Sequence, residues 1–487
     1  MTIEFESAVE LARKIRARKI SSRELTDLYI DRIEGHDGAL NAVVVRDFER
    51  ARAAAEAADQ ALAAGRDLGP LHGVPMTIKE SYDIAGLPTT WGVPEFRDNI
   101  AETDSETVRR FKEAGAHFMG KTNVPLHLAD FQSFNEIYGT TNNPWNVSRT
   151  PGGSSGGSAA ALAAGFTALE SGSDIGGSIR NPAHFCGVYG HKPTWDIVPT
   201  QGHALPGMLA PPDIAVMGPL ARSAEDLALA LRIVSGPDPL NARGWKLELP
   251  RPAKKKLSEY RVAVWPTDER APVSSEISDR AQAVADRLAR LGATVSDTAR
   301  PAIDLDASNE IYLYMLNGVM AAGMPEEQFK ATLARVAALD PDDKSQDALL
   351  ARASVQHHRD WLRYHNSRER LRHVWGAFFN DWDILICPQM ATSAFEHDHT
   401  GYAERTIRVD NAVQPYFQQL FWAGTITVAY LPSTVFPTGP SREGLPIGLQ
   451  AVSAEYNDYV CIDFARLVAE EMGGFVPPPA FIGTEGP

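Results

Sequence analysis

Two serines lie inside glycine clusters: Ser154 in Gly152-Gly153-Ser154-Ser155-Gly156-Gly157, and Ser178 in Asp174-Ile175-Gly176-Gly177-Ser178-Ile179-Arg180. The stretch that holds both, 150–194, is rich in Gly and Ser but is not a flexible linker. Such linkers lack apolar residues, whereas this stretch carries an Ala-rich run at 158–169 and an apolar patch at 185–189. Small residues interleaved with a run that can be buried indicate backbone packed closely around a site. A serine becomes a useful nucleophile once a neighbouring base activates it. Gly152-x-Ser154-x-Gly156 formally matches a nucleophile elbow, which needs a strand before the serine. The polar segment 146–151 ends in Pro151, which argues against a strand there. An elbow enzyme also needs a downstream Asp and His, and the thirteen histidines include none in a recognisable setting. No serine has a lysine three residues on, so an S-x-x-K site is absent.

A third element gives the pattern a better match. The clusters stand 24 residues apart, and upstream lies Gly73-Val74-Pro75-Met76-Thr77-Ile78-Lys79. Spacing, glycine clusters and lysine motif together resemble the amidase signature family, over a span from Leu68 to Glu470. The resemblance implies an α/β fold: one large domain with a mixed, twisted β-sheet surrounded by helices. It implies a free-standing amidase that splits a carboxylic amide into acid and amine or ammonia. Ser178 corresponds to the nucleophile that forms an acyl-enzyme. The N–H groups of Ile175, Gly176, Gly177 and Ser178 correspond to the oxyanion hole. Ser154, which in the family follows a cis peptide bond, corresponds to the serine that carries protons between Ser178 and the base, Lys79. Ser155, Asp174 and Arg180 correspond to supporting residues. A basic lysine must be neutral, so burial has to pull its pKa down from about 10.4; Met76 and Ile78 fit such burial. A lysine at a strand end is ordinarily a snorkelling surface residue, and only its place in the three-part pattern reverses that expectation.

The resemblance calls for no metal and no organic cofactor. The expected partner is a small-molecule amide; a homodimer is left open. Leu128 and Phe131 are expected to bind substrate. With the aromatics of 304–382 (Tyr312, Tyr314, Trp361, Tyr364, Trp375, Phe378, Phe379) they point to an apolar or aryl acyl group. An esterase or carbamate hydrolase on the same site, and the A subunit of a glutamyl-tRNA amidotransferase, are the alternatives. The latter typically continues Tyr-Gly-x-Val-Ser after Lys192-Pro193-Thr194, where this chain reads Trp195-Asp196-Ile197-Val198-Pro199. A scaffold without activity fits poorly, because all three catalytic positions are filled.

The elements that must position these residues follow from periodicity. Apolar residues at helical spacing predict helices over 5–17 and from Ser21, where Ser21 and Glu24 have capping-box spacing, with a third over 48–64. Alternation of Val74, Met76 and Ile78 predicts a strand ending at Lys79. Helices follow at 105–114, 158–169, 223–234, 276–291 and 459–472, and strands at 117–120, 261–265, 294–297, 383–387, 425–430 and 444–450. Residues 207–219 read as loop, and 241–257 as the main interruption. The chain is expected to be one domain over 1–487. Helices of 1–65 pack on the core, 66–240 form the catalytic half, and 300–382 form a variable helical region that lines the substrate pocket.

The 487 residues carry a net charge of −15, which disfavours nucleic acid and anionic membrane as partners. No run of about 18 apolar residues exists, so no membrane span is expected. Cys186, Cys387 and Cys461 are far apart and odd in number. They suggest neither disulfides nor a zinc site, but buried thiols in a cytoplasmic protein.

Overall fold

The capping box expected at Ser21 and Glu24 is formed. Glu24 N–H donates to Ser21 Oγ at 3.0 Å, and Ser21 N–H donates to the Glu24 carboxylate at 2.8 Å. In the computed structural model, which describes residues 2–483, this box opens the second of three N-terminal helices. They are α1 (Ala8–Arg16), α2 (Ser22–His36) and α3 (Phe48–Ala63). Leu11, Ala12 and Ile15 of α1 and Leu25, Tyr29, Ile30 and Ile33 of α2 enter the largest apolar core. A small sheet follows, with strand order β1-β3-β2: β1 (Val43–Arg46), β2 (Pro75–Lys79) and β3 (His117–Thr122). β2 and β3 run parallel and are linked through α4 (Glu106–Glu113). Every residue of β2 is buried, so its last side chain, Lys79, ends inside the protein.

The signature stretch builds one end of an eight-stranded mixed sheet. Helix α5 (Gly156–Ala163) has no exposed residue, because Gly, Ser and Ala on all its faces let neighbours approach from every side. It leads into β4 (Glu170–Asp174), α6 (Arg180–Cys186), β5 (Tyr189–Lys192), β6 (Val216–Ala221) and α7 (Ala224–Val234). Asp226 of α7 accepts hydrogen bonds from the N–H groups of Ala8 and Val9, which anchors the start of α1. The far end of the sheet is a parallel β–α–β unit, β7 (Arg261–Val264), α8 (Ser275–Arg290) and β8 (Thr294–Ser296). Helices α9 (Leu305–Met320), α10 (Glu326–Ala338), α11 (Gln346–Ser354) and α12 (His358–Asp381) come next. Then follow β9 (Ile384–Cys387), α13 (Leu420–Thr427), β10 (Ser433–Pro440), β11 (Pro446–Val452) and α14 (Asp458–Met472). The sheet order is β8-β7-β9-β11-β10-β5-β6-β4, antiparallel from β9 to β4. The result is the mixed α/β fold, in one domain, that the sequence suggested.

Four local expectations differ. Residues 425–430, read as a strand from Thr-Ile-Thr-Val, complete helix α13 and the turn after it. Burial on every side, between the loop after β4 and α9, overrides β-propensity there. The adjacent strand β10 was missed because Pro437 and Pro440 mask it. Within 207–219, Val216 to Pro219 belong to β6, where Pro219 stands opposite Ser171 of β4. β4 itself, Glu-Ser-Gly-Ser-Asp, has no apolar alternation and could not be read as a strand. The three cysteines are buried and unpaired, and no helix among the described residues is long and apolar enough to cross a membrane.

Candidate active site

Lys79 is fully buried at the end of β2. Its Nζ donates to Ser154 Oγ at 2.6 Å and to Ser173 Oγ at 3.0 Å. Burial pulls the ammonium down to about 7, against the opposing pull of Asp174 and Glu170. Burial thus makes the neutral amine accessible near neutrality. Ser154 follows a loop rather than a strand, and the Gly153–Ser154 peptide is cis. The elbow geometry is therefore absent.

Strand β4 delivers the second cluster. At its end Asp174 turns the chain by accepting hydrogen bonds from Gly177 N–H (2.9 Å) and Ile179 N–H (3.0 Å). Arg180 Nε and Nη2 reach the same carboxylate at 3.0 and 2.9 Å, with both side chains fully buried. Burial alone would raise this acid, but the Arg180 guanidinium outweighs it and holds Asp174 at about 2. Arg180 is itself pinned by Thr427 Oγ1 at 2.8 Å and Gln450 Oε1 at 3.2 Å. Gly177 has φ +107, and a Cβ there would come within 2.5 Å of the Gln389 amide, so only glycine fits.

This turn changes the expected set of oxyanion donors. The Gly177 N–H is engaged by Asp174, whereas the N–H groups of Ile175, Gly176 and Ser178 meet no acceptor among the described residues. Ser155 N–H donates to the Ser178 carbonyl at 3.1 Å, which joins the two clusters. Tyr312 of α9 donates its hydroxyl to Ile175 O at 3.1 Å and braces the loop from outside.

Ser154, Ser173, Ile175 and Ser178 line one cavity of ≈ 350 Å³. Ser178 is the more exposed of the two candidate serines, at 8%. Leu128 is in the wall, as expected. Phe131 is not: it packs on Tyr416 and Phe417, with ring centroids 5.6 and 5.9 Å away, inside the second core cluster. The aromatics of α9 and α12 also miss the cavity. Trp375 and Phe378 fill core, and Tyr314 stacks on Tyr364. Region 300–382 contributes instead the end of α9 and the start of α10, with Met320 and Met324; Met208 and Met217 line the same cavity. The aromatic wall residues are Trp91 and Tyr402.

Sequence reasoning missed Ser173 and His203. Ser173 had no motif to mark it, although a polar residue on a fully buried strand demands a partner. His203 sits in a Gly-flanked loop, lines the cavity, and bonds Ser81 Oγ through Nε2 at 2.9 Å. Burial, aided by the charge of Lys79, pushes this imidazole down to about 3, so it is neutral.

Known proteins match along nearly the whole chain. The family model described as Amidase matches residues 24–462. An indoleacetamide hydrolase of Bradyrhizobium diazoefficiens is 34% identical, over 96% of this chain and 86% of its own. The A subunit of the glutamyl-tRNA(Gln) amidotransferase of Anaeromyxobacter is 32% identical, over 96% of each chain. Among solved structures, one from work on a vestigial protein complex and the origins of an s-triazine catabolic enzyme superposes with a TM-score of 0.80. It is 30% identical and covers 97% of this chain and 100% of its own. The chain belongs to the amidase family and is a hydrolase of amide carbon–nitrogen bonds.

Proposed function

We propose that the chain hydrolyses uncharged amides with a predominantly apolar acyl group, through an acyl-enzyme on Ser178. The observation that carries this is the 2.6 Å bond between buried Lys79 and Ser154, on the wall of the cavity that Ser178 also lines. Ser178 Oγ attacks the carbonyl carbon while its proton passes to Ser154 Oγ, and the Ser154 proton passes to Lys79. The tetrahedral oxyanion is met by the N–H groups of Ile175, Gly176 and Ser178, each such donor being worth about 10²–10³ in rate. Gly177 supplies the turn that aims them. The ammonium of Lys79 then returns its proton through Ser154 to the leaving nitrogen, and water enters by the reverse route to release the acid.

Among the described residues, the cavity wall has no Arg or Lys, and its one carboxylate, Asp174, is neutralised by Arg180. The wall's histidines are His127 and His203, and a charged substrate would find no Lys, Arg or free carboxylate, whereas Leu, Met and Trp side chains favour apolar groups. This argues for a small-molecule hydrolase over an enzyme that handles the charged glutamine side of an amidotransferase reaction. A panel of amides, anilides, carbamates and esters, assayed with wild type and Ser178→Ala in parallel, tests it. Neutral apolar amides should be turned over by the wild type alone; preference for a zwitterionic amide such as glutamine would overturn the substrate reading.

A further inference from the structure

The mechanism above leaves one buried acid beside the base unused. Glu170 opens β4, is fully buried, and shares a strand face with Asp174. Its Oε1 accepts a hydrogen bond from Thr77 Oγ1 at 2.5 Å. Thr77 stands two residues before Lys79 on β2, so both side chains leave that strand on one face. Glu170 Oε2 is buried with no hydrogen-bond partner, and the carboxyl makes no ion pair among the described residues, unlike Asp174 with Arg180. A carboxylate here would be a buried charge with neutral donors around it but no cation paired to it, so the neutral acid is the favoured form. Burial pushes it up to about 8, against the hydroxyls of Thr77, Ser158 and Thr122 and the N–H of Ser171.

We propose that Glu170 is a positioning residue for the base: hydrogen-bonded to Thr77, the neighbour of Lys79 on one face of β2, it exchanges protons in concert with the lysine and sets the pH at which the free amine is present. This rests on the reading of Lys79 as the base. While Glu170 keeps its proton, the nearest anion is Asp174, already paired with Arg180, and Lys79 deprotonates readily. When Glu170 ionises, its charge draws a proton back to the amine. The pair therefore titrates in two overlapping steps, and activity rises over a wider pH span than one ionisation gives. Other groups facing the pair are Asp174 on β4, Tyr82 after β2, and His203, which is neutral. Lys192 on β5 bears on Asp174, and Lys121 on β3 bears on Glu80 and Asp83. Arg222, after β6, donates to the carbonyls of Leu162 and Thr167.

The test is kcat/KM against pH on one neutral amide for wild type, Glu170→Gln, Thr77→Val and Lys79→Ala. Gln keeps the shape of the neutral acid. Its acid limb should move to lower pH by about half a unit or more and narrow to a single ionisation, with the plateau retained. Thr77→Val removes the strongest donor to the carboxylate, should keep Glu170 protonated to higher pH, and should move the limb in the same direction even if Glu170→Gln does not fold. Limbs that superimpose on wild type overturn the proposal. So does a lower plateau with an unmoved limb, which marks a structural role only. Activity with an intact limb in Lys79→Ala would instead overturn the reading of Lys79 itself.

Discussion

Ser155 N–H donates to the Ser178 carbonyl at 3.1 Å, a backbone bond that fastens one glycine cluster to the other. Residues 24 positions apart in sequence thereby become one rigid unit, with Ser154 facing Lys79 and Ser178 facing the cavity. The reaction scheme depends on that division of roles between two chemically identical side chains.

If Ser178 is the nucleophile, Ser178→Ala should lower kcat about 10³-fold or more, as single deletions from a catalytic triad do. A fluorophosphonate should also form its adduct on Ser178, located by peptide mass mapping. An adduct on Ser154, or retained turnover in the Ala variant, would reverse the assignment.

Arg180→Ala should destabilise the fold by about 3–5 kcal/mol, because it strands the buried charge of Asp174. Denaturant unfolding measures this. The pH dependence follows from the depressed acid. Its contribution is complete above the ordinary carboxylate value of 3.8 and is lost as pH falls toward about 2. Wild-type stability should therefore decline across that window more steeply than that of Asp174→Asn. Equal slopes would contradict the pairing.

The cavity wall predicts a split between Leu128 and Phe131. Leu128→Ala, or Met324→Ala, should raise KM for a long apolar amide and leave KM for a short one nearly unchanged. Phe131→Ala should instead cost about 3–5 kcal/mol of stability as a core truncation, without altering that preference. A change in chain-length preference in Phe131→Ala would place the ring in the pocket after all.

Much of this arrangement was legible in the chain. The strand ending at Lys79 showed in the alternation of Val74, Met76 and Ile78. The glycines that keep side chains away from the backbone of the candidate site showed as clusters. What stayed hidden depends on three-dimensional neighbours. β4 is polar because it carries Ser173 and Asp174 into the site, so no apolar pattern announced it. Phe131 and the aromatics of 304–382 are apolar for the core rather than for substrate, and residue type cannot separate the two. The engagement of Gly177 N–H by Asp174 is a property of the turn, not of the motif.

The proton path from Ser178 through Ser154 depends most directly on the uncharged form of Lys79. Burial holds its pKa at about 7, so activity should rise with pH as the amine is freed. Arginine keeps the charge and much of the stem but cannot give up its proton in a protein. The decisive measurement is kcat/KM of Lys79→Arg for a neutral amide on the alkaline plateau of the wild type. The value expected is nearly as low as that of Lys79→Ala. Retention of most of the amidase activity would show that Lys79 is not the base.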